Sequence, residues 1–174
     1  NINKLNVGKR RDLGMAHIPE DRIETGLNMG ANLEDNIVLT GYKTDQFSKF
    51  GFLLKKEMQK FSKDIIERFS VASAVPGEGV SMLSGGNMQK VVLGRELSGN
   101  PELVIANQPT RGLDVGSIEF VHKTLINNRD NGSAIILVSV ELEEIFNLSD
   151  VVVVMFDGLI SGIVKPEEVT LEEI

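Results

Sequence analysis

Three short segments contain residue types that could handle a phosphorylated ligand. In the first, Ser84, Gly85 and Gly86 precede an apolar helical pattern. Glycines let a ligand approach the backbone closely, and the first N–H groups of a helix attract an anion. This segment predicts either a phosphate-binding helix start or a serine N-cap after a tight turn, and on these residues alone the N-cap is the better interpretation.

The second and third segments follow apolar strand patterns. Asn107 and Gln108 come after the apolar run 103–106, and a Pro-Thr-Arg-Gly-Leu turn leads from them to Asp114. Because ligand sites of open α/β sheets lie at the carboxyl ends of strands, the two amides favour a ligand site and strand capping about equally. Val140 ends the next strand pattern and has no ionisable group, so packing is the simpler interpretation there.

Composition excludes several other kinds of chemistry. The 174 residues include no cysteine, which removes disulfides, thiolate zinc sites and thiol catalysis. The net charge is −7 and no stripe of Lys or Arg is present, so nucleic acid is not expected as a partner. His17 and His122 lie in separate predicted elements without a carboxylate pair at ligand spacing, so no metal site is predicted.

The elements that would position these segments form an α/β pattern. Continuous apolar strands separated by helices predict a mostly parallel sheet covered on both faces. Asp157-Gly158 predicts a final hairpin, which would add an antiparallel edge. A further helix is expected to begin near Ser117. The predicted strands are 15–18, 103–106, 134–139, 151–156 and 159–164.

Residues 41–98 predict a helical insertion between the two parts of the sheet domain, 1–40 and 99–174. Apolar residues recur at spacings of three and four from Met58 to Phe69, which indicates one buried helix face. Three nearby aromatic residues are interpreted as core packing for the most part, with one of them in an exposed docking patch: Phe47, Phe50 and Phe52.

Taken in order, these segments resemble the ATP-binding cassette of ABC transporters. Residues 83–89 resemble the family's signature sequence, residues 109–114 its D-loop and residues 137–141 its switch strand. Glu20 stands where the Q-loop glutamine usually is. The resemblance implies an incomplete P-loop ATPase core with a helical signature subdomain. It also implies that the signature residues contact ATP in trans, namely Leu83, Ser84, Gly85, Gly86, Asn87 and Gln89. The D-loop that it implies contains Gly112, Leu113 and Asp114.

The residue types within these motifs indicate which subgroup of the family the sequence resembles. His-Ile-Pro-Glu-Asp-Arg at residues 17–22, and Asn87 in place of the commoner glutamine, are similar to importers of simple sugars and nucleosides. In those importers two cassettes are fused in one chain, and this sequence resembles the second, C-terminal cassette. Residues 108–114 and 118–120 resemble the nucleoside branch best.

Three departures from the family pattern indicate a degenerate ATP site. No Gly-x-x-x-x-Gly-Lys-[Ser/Thr] loop occurs in the sequence. The Walker B aspartate and the catalytic glutamate align with Asn107 and Gln108, whose amides carry no charge for Mg²⁺ and cannot take a proton from water. The switch histidine aligns with Val140. The resemblance therefore implies a cassette that does not hydrolyse ATP itself and completes the ATP site of a partner cassette.

The resemblance also implies partners and a location. ATP and Mg²⁺ are expected in the full transporter, and neither is expected on this chain alone. The expected partners are an N-terminal cassette of the same or a second chain, transmembrane permease subunits and, indirectly, an extracytoplasmic substrate-binding protein. The expected location is cytoplasmic, at the inner face of the cell membrane. Because the family's P-loop precedes the strand at 15–18, we expect a fragment that begins downstream of that loop and leaves strand edges unpaired. Either a second copy of the chain covers these edges or the remaining strands rearrange.

Two alternative functions stay open. The first is a doubly wound binding or signalling module without ATP, which would need no Ser-Gly-Gly helix start paired with a Pro-Thr-Arg-Gly-Leu-Asp loop. The second is an ATPase that uses a nonstandard base, either Glu141 or Asp114.

Overall fold

A three-stranded parallel sheet forms the centre of the structure, a computed structural model that describes residues 2–72, 74–75 and 77–170. The sheet has the strand order β1-β4-β5. The helices and strands are, in chain order, α1 (Val7–Asp12), β1 (Met15–Ile18), α2 (Leu33–Val38), β2 (Ser48–Lys49), β3 (Phe52–Leu53), α3 (Lys55–Arg68), α4 (Gly85–Leu97), β4 (Leu103–Asn107), α5 (Val115–Asp130), β5 (Ala134–Val138), α6 (Leu142–Leu148), β6 (Val152–Phe156) and β7 (Leu159–Val164).

The sheet brings the polar strand ends together. In the parallel register Ala106 lies opposite Ile18 on one side and Leu137 on the other, so all three strands end at the same edge. Val104 and Ala106 are fully buried, as expected for a strand covered on both faces. The predicted α/β class with a parallel sheet is confirmed.

Helix α4 packs against the sheet and against α3, and from Val91 to Leu97 every residue is buried. Gly94 permits this packing, because a Cβ there would lie 2.5 Å from the Cγ2 of Ile65 on α3. Ser84 and the two glycines that begin this helix are thereby attached to the core. The predicted helix after Ser84 is confirmed.

A buried charged cluster secures the other end of α4. Glu96 has no exposed side-chain surface, and it accepts hydrogen bonds from Arg11 (2.7 Å), Arg95 (2.9 Å) and the backbone N–H of His17 (3.4 Å). Arg95 also donates to the carbonyl of Gly26 at 2.9 Å. Burial lowers the pKa of Arg95, while the adjacent Glu96 carboxylate opposes that shift. Helix α4 is therefore hydrogen-bonded to α1, to β1 and to the turn after β1, and fixes their positions.

The segment 41–98 contains a feature that the helical pattern did not predict. Strands β2 and β3 form a small antiparallel hairpin whose turn residues, Phe50 and Gly51, have φ angles of 52° and 82°. Phe47 is buried, but Phe50 is 89% and Phe52 77% exposed. The interpretation of these aromatics mostly as core residues is therefore wrong for two of the three, because the tight turn directs their side chains away from the helices.

The C-terminal strands β6 and β7 form the predicted antiparallel hairpin. Its turn residues, Asp157 and Gly158, have φ angles of 49° and 77°, the left-handed conformation that a two-residue hairpin turn requires. Within the part of the chain that the structure describes, β6 pairs with β7 only, and a largely apolar cavity of about 800 Å³ separates it from β5. Ile136 and Val138 on β5 are about half exposed beside this cavity.

Candidate functional site

The start of helix α4 is held by a side-chain cap. Ser84 is the N-cap residue, and its Oγ accepts hydrogen bonds from the backbone N–H of Asn87 at 3.4 Å and from the Asn87 amide at 3.1 Å. The Oδ1 of Asn87 in turn accepts from the N–H of Ala72 at 3.0 Å. Both sequence interpretations of Ser84 remain compatible with this geometry, because an N-cap leaves other N–H groups of the first turn available.

Gly86 brings the starts of two helices into contact. A Cβ at Gly86 would overlap the hydroxyl oxygen of Ser117 and lie 3.1 Å from the Cβ of Ser117 and 3.3 Å from Oδ2 of Asp114. Those two residues begin α5, so only glycine fits here without a shift of one helix. The Ser-Gly-Gly segment and the loop ending in Asp114 are thus parts of one surface.

Asp114 caps helix α5. Its carboxylate accepts hydrogen bonds from the backbone N–H of Ser117 (2.9 Å) and from the Ser117 hydroxyl (2.8 Å). These bonds, the hydroxyl's first, lower the pKa of Asp114 below its ordinary value. The helix begins at Val115, two residues before the predicted start, because Asp114 rather than a later residue provides the cap.

Two of the predicted site residues face the interior. Leu83 is 8% exposed and belongs to the hydrophobic core. Gln89 is buried, and its amide donates to the carbonyl of Pro109 at 2.7 Å. This bond ties α4 to the loop after β4, in which Gly112 adopts a φ of 66° and Leu113 packs against the core. Leu83 and Gln89 therefore position the surface residues.

The polar ends of β4 and β5 contact each other. Asn107 lies opposite Val138 in the sheet, and the backbone N–H of Gln108 donates to the carbonyl of Val138 at 2.7 Å. The side-chain oxygen of Gln108 accepts from the N–H of Val140 at 3.4 Å. The valine side chain itself is largely exposed. The structure thus brings Asn107, Gln108 and Val140 to one place, as the strand pattern predicted.

Glu20 is held by a residue that the sequence reasoning did not single out. Its carboxylate forms an ion pair with Arg111, and the backbone carbonyl of Arg111 accepts a hydrogen bond from Arg22 at 2.9 Å. Arg22, Arg111 and Ser117 were missed as site residues. The Asp-x-x-Ser spacing at 114–117 is a capping pattern that could have revealed Ser117, whereas the arginine contacts span 89 and 91 residues of sequence and left no local signal.

The chain is similar to several known ATP-binding proteins. No protein-family model matches the chain. The chain is 46% identical over 99% of its length to the guanosine import ATP-binding protein NupO of Bacillus subtilis and 44% identical over 95% to the nucleoside import ATP-binding protein NupA of Lactococcus lactis. It is also similar to the dimeric ATP-binding cassette MJ0796 bound to ADP and Pi, with a TM-score of 0.74 and 20% identity over 94% of this chain and 69% of that one. The chain has the ABC ATPase fold.

The relatives are much longer than this chain. It spans 34% of the Bacillus protein, 33% of the Lactococcus protein and 31% of the ribose import ATP-binding protein RbsA of Roseobacter denitrificans, to which it is 37% identical. The resemblance to cassettes of nucleoside and sugar importers is confirmed by these relatives, and the structural neighbour confirms the ABC ATPase fold.

The residues expected at the Walker B positions do not fit Mg²⁺. The ion prefers charged carboxylate oxygens, whereas Asn107 and Gln108 supply neutral amides, and the Gln108 oxygen is already bonded to Val140. Among the described residues, no group of three or more His, Asp or Glu side chains is placed to hold a metal ion. The donor set at these strand ends is therefore wrong for the ion that the family uses.

A cavity of about 700 Å³ lies at the same edge of the sheet, and its lining is acidic. Arg111 contributes a positive charge, but it is already paired with Glu20. A buried Glu144 bonds His122 at 2.8 Å on the far wall. The carboxylates that line the cavity are those of Glu20, Glu141, Glu143 and Glu144. The lining carries more negative than positive charge, which disfavours a triphosphate there, since like charges at short range are unfavourable.

The described part of the chain contains no helix long and apolar enough to cross a membrane.

Proposed function

We propose that this chain acts as the second, degenerate cassette of an importer of nucleosides or simple sugars, and that it supplies its signature and D-loop in trans to the ATP site of a partner cassette. The contact between Gly86 and the residues Asp114 and Ser117 carries the proposal. It supports a single surface formed by the start of α4 and the loop before α5, while residues 107, 108 and 140 beside them provide neither carboxylate nor imidazole.

The proposal assigns a role to each residue of this surface. Ser84, Gly85 and Asn87 are exposed or half-exposed at the start of the signature helix, where free N–H groups and the helix dipole favour phosphate, and Gly86 between them is buried. Gly112 and Asp114 present the D-loop beside them. ATP and Mg²⁺ then belong to the site that the partner cassette builds, and no step of hydrolysis uses this chain's own Walker B positions.

Neither candidate for a nonstandard base is favoured by its environment. Asp114 accepts two hydrogen bonds from Ser117, and its lowered pKa makes it a weaker base than an ordinary carboxylate. Glu141 lies after Val140 at an exposed position beside the acidic cavity. Turnover by this chain alone would distinguish the alternatives: magnesium-dependent ATP hydrolysis well above background favours the nonstandard base over the proposal.

The cargo and partners rest on the relatives. The two relatives with nucleoside import in their names share 46% and 44% identity with this chain, against 37% for the ribose relative. Nucleosides are therefore the favoured cargo. The other partners in this proposal are permease subunits and, through them, an extracytoplasmic substrate-binding protein, with the chain at the cytoplasmic, inner face of the membrane.

The same proposal divides the chain between two roles. Residues 1–40 and 99–174 form the ATPase core, and residues 41–98 form the signature subdomain that meets the permease. Phe50 and Phe52 support this division, because two large apolar side chains exposed on one hairpin favour contact with another protein.

The deciding experiment is Gly86→Ala in the full-length importer assembled with its permease. The new methyl group overlaps Ser117, so the signature must move relative to the D-loop, and a displacement of about 1 Å costs up to about 100-fold in rate. We expect ATP turnover to fall by one to two orders of magnitude while ATP binding by the partner cassette is unchanged. Gly99→Ala is the matched control, because a Cβ there meets nothing within 4 Å. Normal turnover by the Gly86 variant would contradict the proposal.

A further inference from the structure

Arg22 touches both halves of the trans surface. Its Nη1 donates to the carbonyl of Arg111, at the start of the D-loop turn, at 2.9 Å. Its guanidinium also lies against the signature helix, where a Cβ at Gly85 would be 2.9 Å from Nη2 and 3.6 Å from Cζ. The same Nη2 is 3.9 Å from the Cβ position of Gly112. One side chain therefore fills the space between the signature and the D-loop.

The backbone that carries Arg22 is fixed independently of those contacts. Asp21 caps the turn Arg22–Gly26 by accepting hydrogen bonds from the N–H groups of Ile23 (2.8 Å) and Glu24 (2.9 Å). At the end of the turn, the carbonyl of Gly26 accepts from Arg95 of helix α4. The arginine thus projects from a rigid turn that is itself bonded to the signature helix.

We propose that Arg22 is a positioning residue that sets the distance between the signature helix start and the D-loop, an inference that rests on the proposed trans function. The planar guanidinium packs edge-on into a space that exists because residue 85 has no side chain. Its Nε is enclosed and has no hydrogen-bond partner among the described residues, so packing against Gly85 and the single bond to Arg111 fix its place. A lysine has the charge but not the planar, forked donor group.

The first test replaces Arg22 in the full-length importer. Arg22→Ala is expected to lower kcat for ATP by about tenfold, because misplacing groups that complete a site by a fraction of an ångström has effects of this order. KM for ATP is expected to stay within about twofold of the parent, since the P-loop of the partner cassette binds ATP first. The melting temperature is expected to stay within a few degrees of the parent. Arg22→Lys should recover part of kcat. Arg68→Ala is the control, because that arginine forms an exposed pair with Asp64 on α3.

The second test uses Gly85→Ala, which pushes the guanidinium aside without removing it. The nearest atom is the end of a flexible side chain, so the variant folds and loses kcat through Arg22. In an Arg22→Ala background the Gly85 substitution is then expected to add little further loss, whereas fully additive losses would overturn the proposal.

The Gly86→Ala variant distinguishes a failure of the Arg22 proposal from a failure of the proposed trans function. If Gly86→Ala abolishes turnover and Arg22→Ala leaves kcat unchanged, the role of Arg22 is wrong while the trans function stands. If Gly86→Ala is silent, the trans function itself fails.

Discussion

The substitution Glu96→Gln tests whether the buried cluster on α4 holds the fold around the site. Glu96 has no exposed side-chain surface and pairs with both Arg11 and Arg95. The glutamine keeps the shape of the side chain but removes its charge. Arg95, with 5% of its side chain exposed, is then left as a buried cation whose other bonds run only to the carbonyls of Gly26 and Asn36.

The magnitude follows from this burial. Removing one partner of a buried ion pair costs about 3–5 kcal/mol, because the remaining charge has lost both its solvent and its counterion. A protein of this kind is stable by about 5–15 kcal/mol, so the loss is a large part of the total. With a urea slope of about 2 kcal/mol per molar, the midpoint of unfolding should fall by about 1.5–2.5 M.

The assay is urea unfolding followed by circular dichroism at low protein concentration. Glu119→Gln is the control, because its pair with Lys123 is about two-thirds exposed and surface pairs contribute little. The double variant Arg95→Met, Glu96→Leu should lose less stability than Glu96→Gln, since the buried cation is removed together with its counterion and only the partly exposed Arg11 loses its partner. Equal midpoints for Glu96→Gln and Glu119→Gln would refute the reasoning.

Two further predictions concern the surface. In an NMR titration, Ser117→Ala should raise the pKa of Asp114 but leave it below its ordinary value of about 3.8, because the hydroxyl bond is lost and the backbone bond stays. An unchanged pKa of Asp114 in the variant would contradict the assignment of this bond. A carboxyl whose pKa is lowered by folding stabilises the protein above its ordinary pKa and loses this effect as the pH falls through the folded value. The α5 cap should therefore open only in strong acid. Phe50→Ser should leave the melting temperature unchanged and lower permease-stimulated ATP turnover, because the side chain is exposed. The buried Phe47 is the contrast, since Phe47→Ala should cost about 3–5 kcal/mol of stability. A Phe50 variant with normal stimulation would exclude the hairpin from the permease contact.

The strands and the caps could be predicted from sequence because their causes are local. The apolar run at 103–106 needs neighbours on both faces, and Asp157-Gly158 supplies the left-handed turn by itself. Ser84 and the two glycines after it are adjacent in the chain, so their helix start could be read directly.

Other parts of the site depend on contacts between distant residues. Nothing near Arg22 in the sequence shows that it meets Arg111 or Gly85, and the exposed position of Phe50 follows from a tight turn inside a segment whose overall pattern is helical. Glu20 could be aligned with a family position, but its ion pair with an arginine 91 residues away could not. Long-range geometry of this kind is set by the packing of whole elements.

The close approach of Gly86 to Ser117 also constrains how this surface can evolve. Because a methyl group at residue 86 overlaps the hydroxyl of Ser117, the effect of a substitution at either residue depends on which one changes first. A side chain at 86 is accommodated more easily once residue 117 has lost its hydroxyl. The pair should therefore show strong epistasis, with the glycine retained along any lineage that keeps the serine.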